Sequence, residues 1–113
     1  MTTDRNSFVY ILLCADGTLY TGWTTDVAAR VRMHNSGRGA KYTRTRLPVR
    51  LVYYESAAGK GDALSREAAI KKLTRTQKER LVFSGSNLLS HEEIEQNRRL
   101  INRRPLRKKS RKT

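Results

Sequence analysis

The chain has 113 residues, enough for one domain of ordinary size and too few for two. Its 24 Lys and Arg against 10 Asp and Glu give a formal charge of +14, which calls for a polyanionic partner, nucleic acid ahead of an anionic membrane surface. No apolar run is long enough to span a bilayer, Met1-Thr2-Thr3-Asp4-Arg5 lacks the apolar stretch of a signal peptide, and a lone Cys14 excludes an internal disulfide, so the expected location is the cytosol, with no membrane partner.

Residues 1–7 are polar and expected to be flexible. Phe8 to Cys14 is an apolar run rich in β-branched and aromatic residues, which predicts a strand. Ala15-Asp16-Gly17 is a turn signal, and Thr18 to Trp23 reads as the returning strand. A three-residue loop with Gly17 in the left-handed region would close the hairpin at Cys14 and Thr18. Cross-strand partners then pair Tyr10 with Gly22 and Leu12 with Tyr20, which puts Tyr10 and Tyr20 on one face, diagonally related. A two-residue loop would put them on opposite faces.

Thr24-Thr25-Asp26 can cap a helix running to about Asn35, with Gly37 just past its end. Val27, Arg30, Val31 and His34 share one stripe, whose mixed polarity suits the edge of a core. Ser36 to Pro48 reads as a loop carrying Arg38, Lys41, Tyr42, Arg44 and Arg46. Val49 to Glu55 alternates as a third strand. Asp62 is expected to cap a helix over Ala63 to Leu73, with Leu64, Glu67 and Ile70 on one face and Leu64 and Ile70 in the core. Thr76-Gln77-Lys78-Glu79 has the form of a capping box, which predicts a short helix to about Phe83.

These elements predict an α+β domain over 8–83, a small three-stranded antiparallel sheet with about three packed helices. Residues 84–113 form a polar, basic extension expected to be partly disordered, with a weakly amphipathic helix over His91 to Ile101. Residues 98–113 hold nine cations and no acid, and removing nine from +14 leaves +5 on the rest.

Taken singly, Tyr10 and Tyr20 are ordinary strand aromatics, Arg30 and His34 a solvated helix edge, and Glu67 a partner for Arg66 or Lys71. Taken together, Phe8-Val9-Tyr10, Tyr20-Thr21-Gly22, Arg30 and His34 in Arg-Val-Arg-Met-His-Asn, and Glu67 in Leu-Ser-Arg-Glu resemble the signature of the GIY-YIG nuclease family. The likeness spans about Phe8 to Val82 and is nearest to the compact single-domain bacterial branch, with a further likeness to the nuclease domain of a eukaryotic branched-DNA endonuclease. It implies a nuclease with Tyr10 as general base, Arg30 on the phosphate, Tyr20 orienting water or phosphate, and His34 bonded to phosphate or to Tyr10. It also implies that Glu67 holds one hydrated Mg²⁺ or Mn²⁺. An ordinary tyrosine titrates near 10, about three units too high for a base at neutral pH, so Arg30 or the metal is expected to lower it.

The chain departs from the family at three places. Phe8 replaces the first Gly, Trp23 stands where DNA-repair members carry Lys, and Glu79 stands where many members carry Asn. Arg38, Lys41, Tyr42, Arg44 and Arg46 are the expected nucleic-acid contacts, with DNA ahead of RNA, and Tyr42 either stacks on a base or fills a loop core. The competing readings are a degenerate nuclease fold that binds DNA or RNA without cutting, and a ribosome-associated protein that uses its basic tail.

Overall fold

The structure is a computed structural model that describes residues 6–102 in full and, for 103–112, the course of a helix alone. The expectations for residues 1–5 and for the side chains of 103–113 lie outside the described residues.

Three strands form one antiparallel sheet in the order β2-β1-β3: β1 Ser7–Cys14, β2 Leu19–Thr24 and β3 Val49–Ala57. The apolar run predicted as a strand is the central one, paired on both sides and buried on both faces, which is why its apolar residues hardly alternate with polar ones. The hairpin closes as its loop length predicts. Gly17 has φ of 87°, its N–H donates to the Cys14 carbonyl at 2.8 Å, and Cys14 N–H donates to the Thr18 carbonyl at 2.8 Å. The register follows, with Tyr10 opposite Gly22 and Leu12 opposite Tyr20.

Among the described residues five helices accompany the sheet: α1 Val27–Asn35, α2 Lys41–Arg44, α3 Lys60–Lys71, α4 Arg75–Val82 and α5 His91–Lys112. One core, around Tyr10, Leu12, Cys14 and Val49, includes Val31 of α1. The other, around Val9, Ile11, Leu13, Val52 and Tyr53, takes Ala63 and Ile70 from α3, Val82 from α4, and Ile94 and Ile101 from α5. A bulge lets β3 serve both. Tyr53 faces Ile11 while Leu51 faces Leu12, so Val52 is an extra residue and lies with Tyr53 in the second core.

Several helix boundaries differ from expectation. Asp26 caps α1 as predicted, its side chain accepting from Ala29 N–H at 3.0 Å. Asp62 is not a cap. The helix starts at Lys60 after Gly59, and Asp62 sits in the first turn, where its charge complements the helix N-terminus. The capping box is Thr74 with Gln77, two residues earlier than expected, because Thr74 is the residue that leaves the preceding turn with extended backbone. Leu64 is 42% exposed and is not core; the buried positions of α3 are Ala63 and Ile70, seven apart on one stripe.

The segment after Ser86 is built into the domain. Asn87 Nδ2 donates to the carbonyls of Val52 and Val82 at 2.8 Å each, and Asn97 Nδ2 donates to the Leu51 carbonyl at 2.9 Å. These side chains satisfy backbone groups along β3, where a bare edge would invite another strand. Ile94 and Ile101, each 1% exposed, then fill the second core, and a buried aliphatic of this size contributes about 1.5–3 kcal/mol. A domain boundary drawn at 83 leaves both outside, and α5 covers the helix expected over His91 to Ile101 and runs on through Asn102. Among the described residues no helix is long and apolar enough to cross a membrane.

Candidate active site

Tyr10 and Tyr20 come from the hairpin and share a face, with ring centroids 6.4 Å apart. The Tyr10 ring lies over Gly22. A Cβ there would stand 2.6 Å from the Tyr10 hydroxyl oxygen and 3.2 Å from Tyr20 Cε2, so only glycine admits both rings.

Helix α1 brings two further residues. His34 is 1% exposed, and its Nε2 lies 3.0 Å from the Tyr10 hydroxyl. Its ring meets Tyr20 edge-on at 5.3 Å. Arg30, one turn earlier, bears electrostatically on both Tyr10 and His34 and has no carboxylate partner among the described residues. The helix end is fixed by Asn35, which donates to the Val49 carbonyl at 3.0 Å and accepts from Val49 N–H at 2.7 Å. The His-Asn pair of the sequence thus divides its work, His34 facing the tyrosines and Asn35 tying α1 to β3.

The segment predicted as a loop contains α2 and closes over His34. Thr43, fully buried, lies 2.8 Å from His34 Nδ1 through its Oγ1, and the same hydroxyl donates to the Ala40 carbonyl at 3.0 Å. Gly39 packs directly on His34; a Cβ there would collide with Nδ1 and stand 2.8 Å from the His34 Cα. Nothing in the sequence alone singles out Thr43 or Gly39. A threonine among cations carries no local sign of a buried partner nine residues away.

The expected nucleic-acid contacts separate into two sets. Arg38, Lys41 and Arg44 are exposed and have no acidic partner among the described residues. Arg46 pairs with Asp16 at 3.0 Å and lies 3.8 Å over the Tyr42 ring, and the Tyr42 ring stacks on Tyr20 with centroids 6.0 Å apart. Tyr42 thus packs against both Arg46 and Tyr20 while remaining 38% exposed.

Glu67 reaches the site from α3. Its charge acts on the Tyr10 hydroxyl, its side chain is 15% exposed, and Lys71 Nζ lies 3.2 Å away. Arg66 turns to Glu55 instead, with contacts of 2.8 and 3.2 Å. No cluster of three or more acidic, His or Cys side chains occurs among the described residues. A single carboxylate fits an ion that keeps most of its water and takes further oxygens from a phosphate, as Mg²⁺ and Mn²⁺ do, and does not fit a closed zinc site. Of the departures from the family pattern, Trp23 lies under Lys60 Nζ at 5.9 Å, and Glu79 is held by Arg75 at 2.9 Å and Arg98 at 3.1 Å.

Of the two groups expected to lower the Tyr10 phenol, Arg30 by itself does not suffice. Burial pushes the Tyr10 phenol far up, Tyr20 and Glu67 add to the rise, and Arg30 opposes it without prevailing. Tyr10 is therefore a neutral phenol at neutral pH. Burial, with Arg30 beside it, pulls His34 below the usual 6.5, so the imidazole is neutral too and can accept a proton.

The GIY-YIG catalytic domain model matches residues 6–80 of the chain. A UPF0213 protein of Clostridium perfringens is 56% identical over 80 residues, covering 71% of this chain and 86% of that protein. Another, of Streptococcus pneumoniae, is 48% identical over 90 residues, covering 78% and 91%. The solution NMR structure of a UPF0213 protein from Bacillus halodurans is 49% identical, with a TM-score of 0.47 and coverage of 71% and 85%. A family match across more than half of its length, joined to relatives of this identity, means that the chain belongs to the GIY-YIG family.

Proposed function

We propose that the protein is a nuclease that hydrolyses nucleic-acid phosphodiester bonds, DNA ahead of RNA, with Mg²⁺ or Mn²⁺ held at Glu67. The observation that carries this reading is a buried phenol, Tyr10, hydrogen-bonded at 3.0 Å to a neutral imidazole, beside a guanidinium with no carboxylate partner among the described residues.

Because Tyr10 rests as a phenol, its role is a proton relay. Its O–H donates to His34 Nε2, which leaves its oxygen lone pairs for a water. As that water attacks phosphorus, its proton passes to the Tyr10 oxygen and the phenolic proton passes to His34. The bond from phosphorus to the leaving oxygen breaks, and that oxygen takes up a proton from solvent. Arg30 offers paired N–H donors to the phosphoryl oxygens, where charge builds up. Tyr20, held between Tyr42 and His34, orients the water or the phosphate. A divalent ion at Glu67, when bound, supplies positive charge to a phosphoryl oxygen and to the leaving oxygen. Arg38, Lys41 and Arg44 supply sequence-independent phosphate contacts.

The test is a panel of labelled single-stranded, duplex and branched DNA and RNA, with and without Mg²⁺ or Mn²⁺, using wild type and Glu67→Ala. Metal-dependent cleavage by wild type, lost in Glu67→Ala while binding persists, is the expected result.

One observation favours a second reading. Lys71 pairs with Glu67 and competes with a cation for the carboxylate. A module that holds nucleic acid without cutting would bind the whole panel and cleave none of it.

A further inference from the structure

The described side chains on the α2 side of His34 leave one question of chemistry: which nitrogen of its ring carries the proton. Two arrangements satisfy the distances, and they differ in what they leave unbonded.

The Thr43 hydroxyl has one proton and two neighbours, His34 Nδ1 at 2.8 Å and the Ala40 carbonyl at 3.0 Å. A carbonyl can only accept. If the hydroxyl proton points at Nδ1, Thr43 Oγ1 and the Ala40 oxygen face each other as two acceptors in a site where Thr43 is fully buried. The neutral imidazole then carries its proton on Nε2, aimed at Tyr10. Tyr10 becomes an acceptor and its own hydroxyl hydrogen is left to water or substrate, so the uncompensated cost lies on the Thr43 side. If the hydroxyl proton points at Ala40, every group is paired. Nδ1–H donates to Thr43, and the Tyr10 hydroxyl donates to Nε2. Buried polar groups left unpaired are costly, so the second arrangement prevails.

We infer that Thr43 is a positioning residue: by committing its proton to the Ala40 carbonyl, it fixes His34 in the Nδ1–H form and so leaves Nε2 as the acceptor for the Tyr10 proton. The inference rests on the nuclease reading for its catalytic consequence, though not for the tautomer itself. Helix α2 is held firmly enough for the task. Arg46, two residues past its end, bonds Asp16 in the hairpin turn at 3.0 Å and the Tyr42 carbonyl at 2.7 Å, and its own carbonyl accepts from Ala15 N–H at 2.9 Å. Tyr42 and Thr43, adjacent on one short helix, thus buttress Tyr20 and His34 respectively.

The test is ¹⁵N NMR of the imidazole in the full chain, which has two histidines, so that His91→Gln assigns the signals. Wild type is expected to show His34 protonated on Nδ1 and bare on Nε2. Thr43→Ser should keep that form. Thr43→Val has the same shape without the acceptor, and should shift His34 toward Nε2–H. In cleavage assays Thr43→Val should lower kcat on the order of 100-fold with KM little changed, since a correctly placed proton acceptor supplies at least this much, and Thr43→Ser should restore it. A wild-type spectrum with the proton on Nε2 overturns the inference and needs no variant to fold. Thr43→Val that keeps Nδ1–H overturns it whatever its rate, and a shifted tautomer with an unchanged kcat overturns the catalytic part. If wild type cleaves nothing, the nuclease reading fails while the spectra still decide the tautomer.

Discussion

The two faces of the sheet each hold a buried tyrosine bonded to an ionisable partner, and only one pair is suited to move a proton. Tyr10 hydrogen-bonds His34; Tyr53, in the other core, donates to Glu55. Burial is the largest cause of a raised phenol in both. The partners differ. Glu55 is fixed by two contacts from Arg66, and protonating it would strip that guanidinium of its anion. His34 is neutral, is oriented by Thr43, and has the uncommitted charge of Arg30 beside it. A buried tyrosine with a shifted pKa is therefore no sign of a site by itself. The sign is a neutral acceptor bonded to it, with an unpaired cation nearby.

The contrast breaks most directly at the two phenols. Tyr10→Phe should lower the rate of metal-dependent cleavage by about 10²–10⁴ with binding retained. Tyr53→Phe should leave the rate within about 2-fold and cost about 1 kcal/mol of stability, read by denaturant unfolding. Equal losses of rate in the two variants would erase the distinction. The arginines sharpen it next. Arg30→Ala should cost about 10²–10³ in kcat, the usual loss for removing one donor to a developing charge, whereas Arg66→Ala should cost stability of at most about 1 kcal/mol, its side chain being 41% exposed.

Gly22→Ala tests the close approach of the rings. The new methyl would overlap the Tyr10 hydroxyl, and overpacking of this kind costs about 1–3 kcal/mol. Cleavage should fall by more than about 10-fold, because about 1.4 kcal/mol of misplacement energy already corresponds to that factor. The pH profile is the next test. His34 must be neutral to accept a proton, and its pKa is pulled down, so kcat/KM should hold through the usual imidazole range and fall only below 6.5, as pH drops through the folded-state value. The stability contribution has the same sign: present above the unfolded pKa, lost as pH falls through the depressed one. An acid limb above 6.5 would contradict a buried neutral imidazole.

The smallest effect concerns the C-terminal charge. The cut belongs after Asn102, since Arg98 pairs with Glu79 and Ile101 fills the core. Removing 103–113 deletes seven of 24 cations. Binding should weaken and its salt slope should flatten by about 0.9 for each phosphate that the tail had neutralised, with cleavage at low salt nearly unchanged. Identical salt slopes would remove the tail from the interface.

The sequence by itself determined what neighbours along the chain decide. A three-residue turn with Gly17 set the hairpin register, and the register put Tyr10 and Tyr20 on one face. Asp26 capped α1, and the four-residue step from Arg30 to His34 put both on one stripe. Tertiary structure decided what depends on partners distant in sequence. Whether Leu64 is core, whether residues after 86 belong to the domain, which carboxylate Arg66 chooses and which hydroxyl holds His34 all turn on segments 9 to 46 positions apart. The state of Tyr10 turned on them as well. Desolvation is set by the whole packed surround, and here it outweighs the one cation that the sequence had placed nearby.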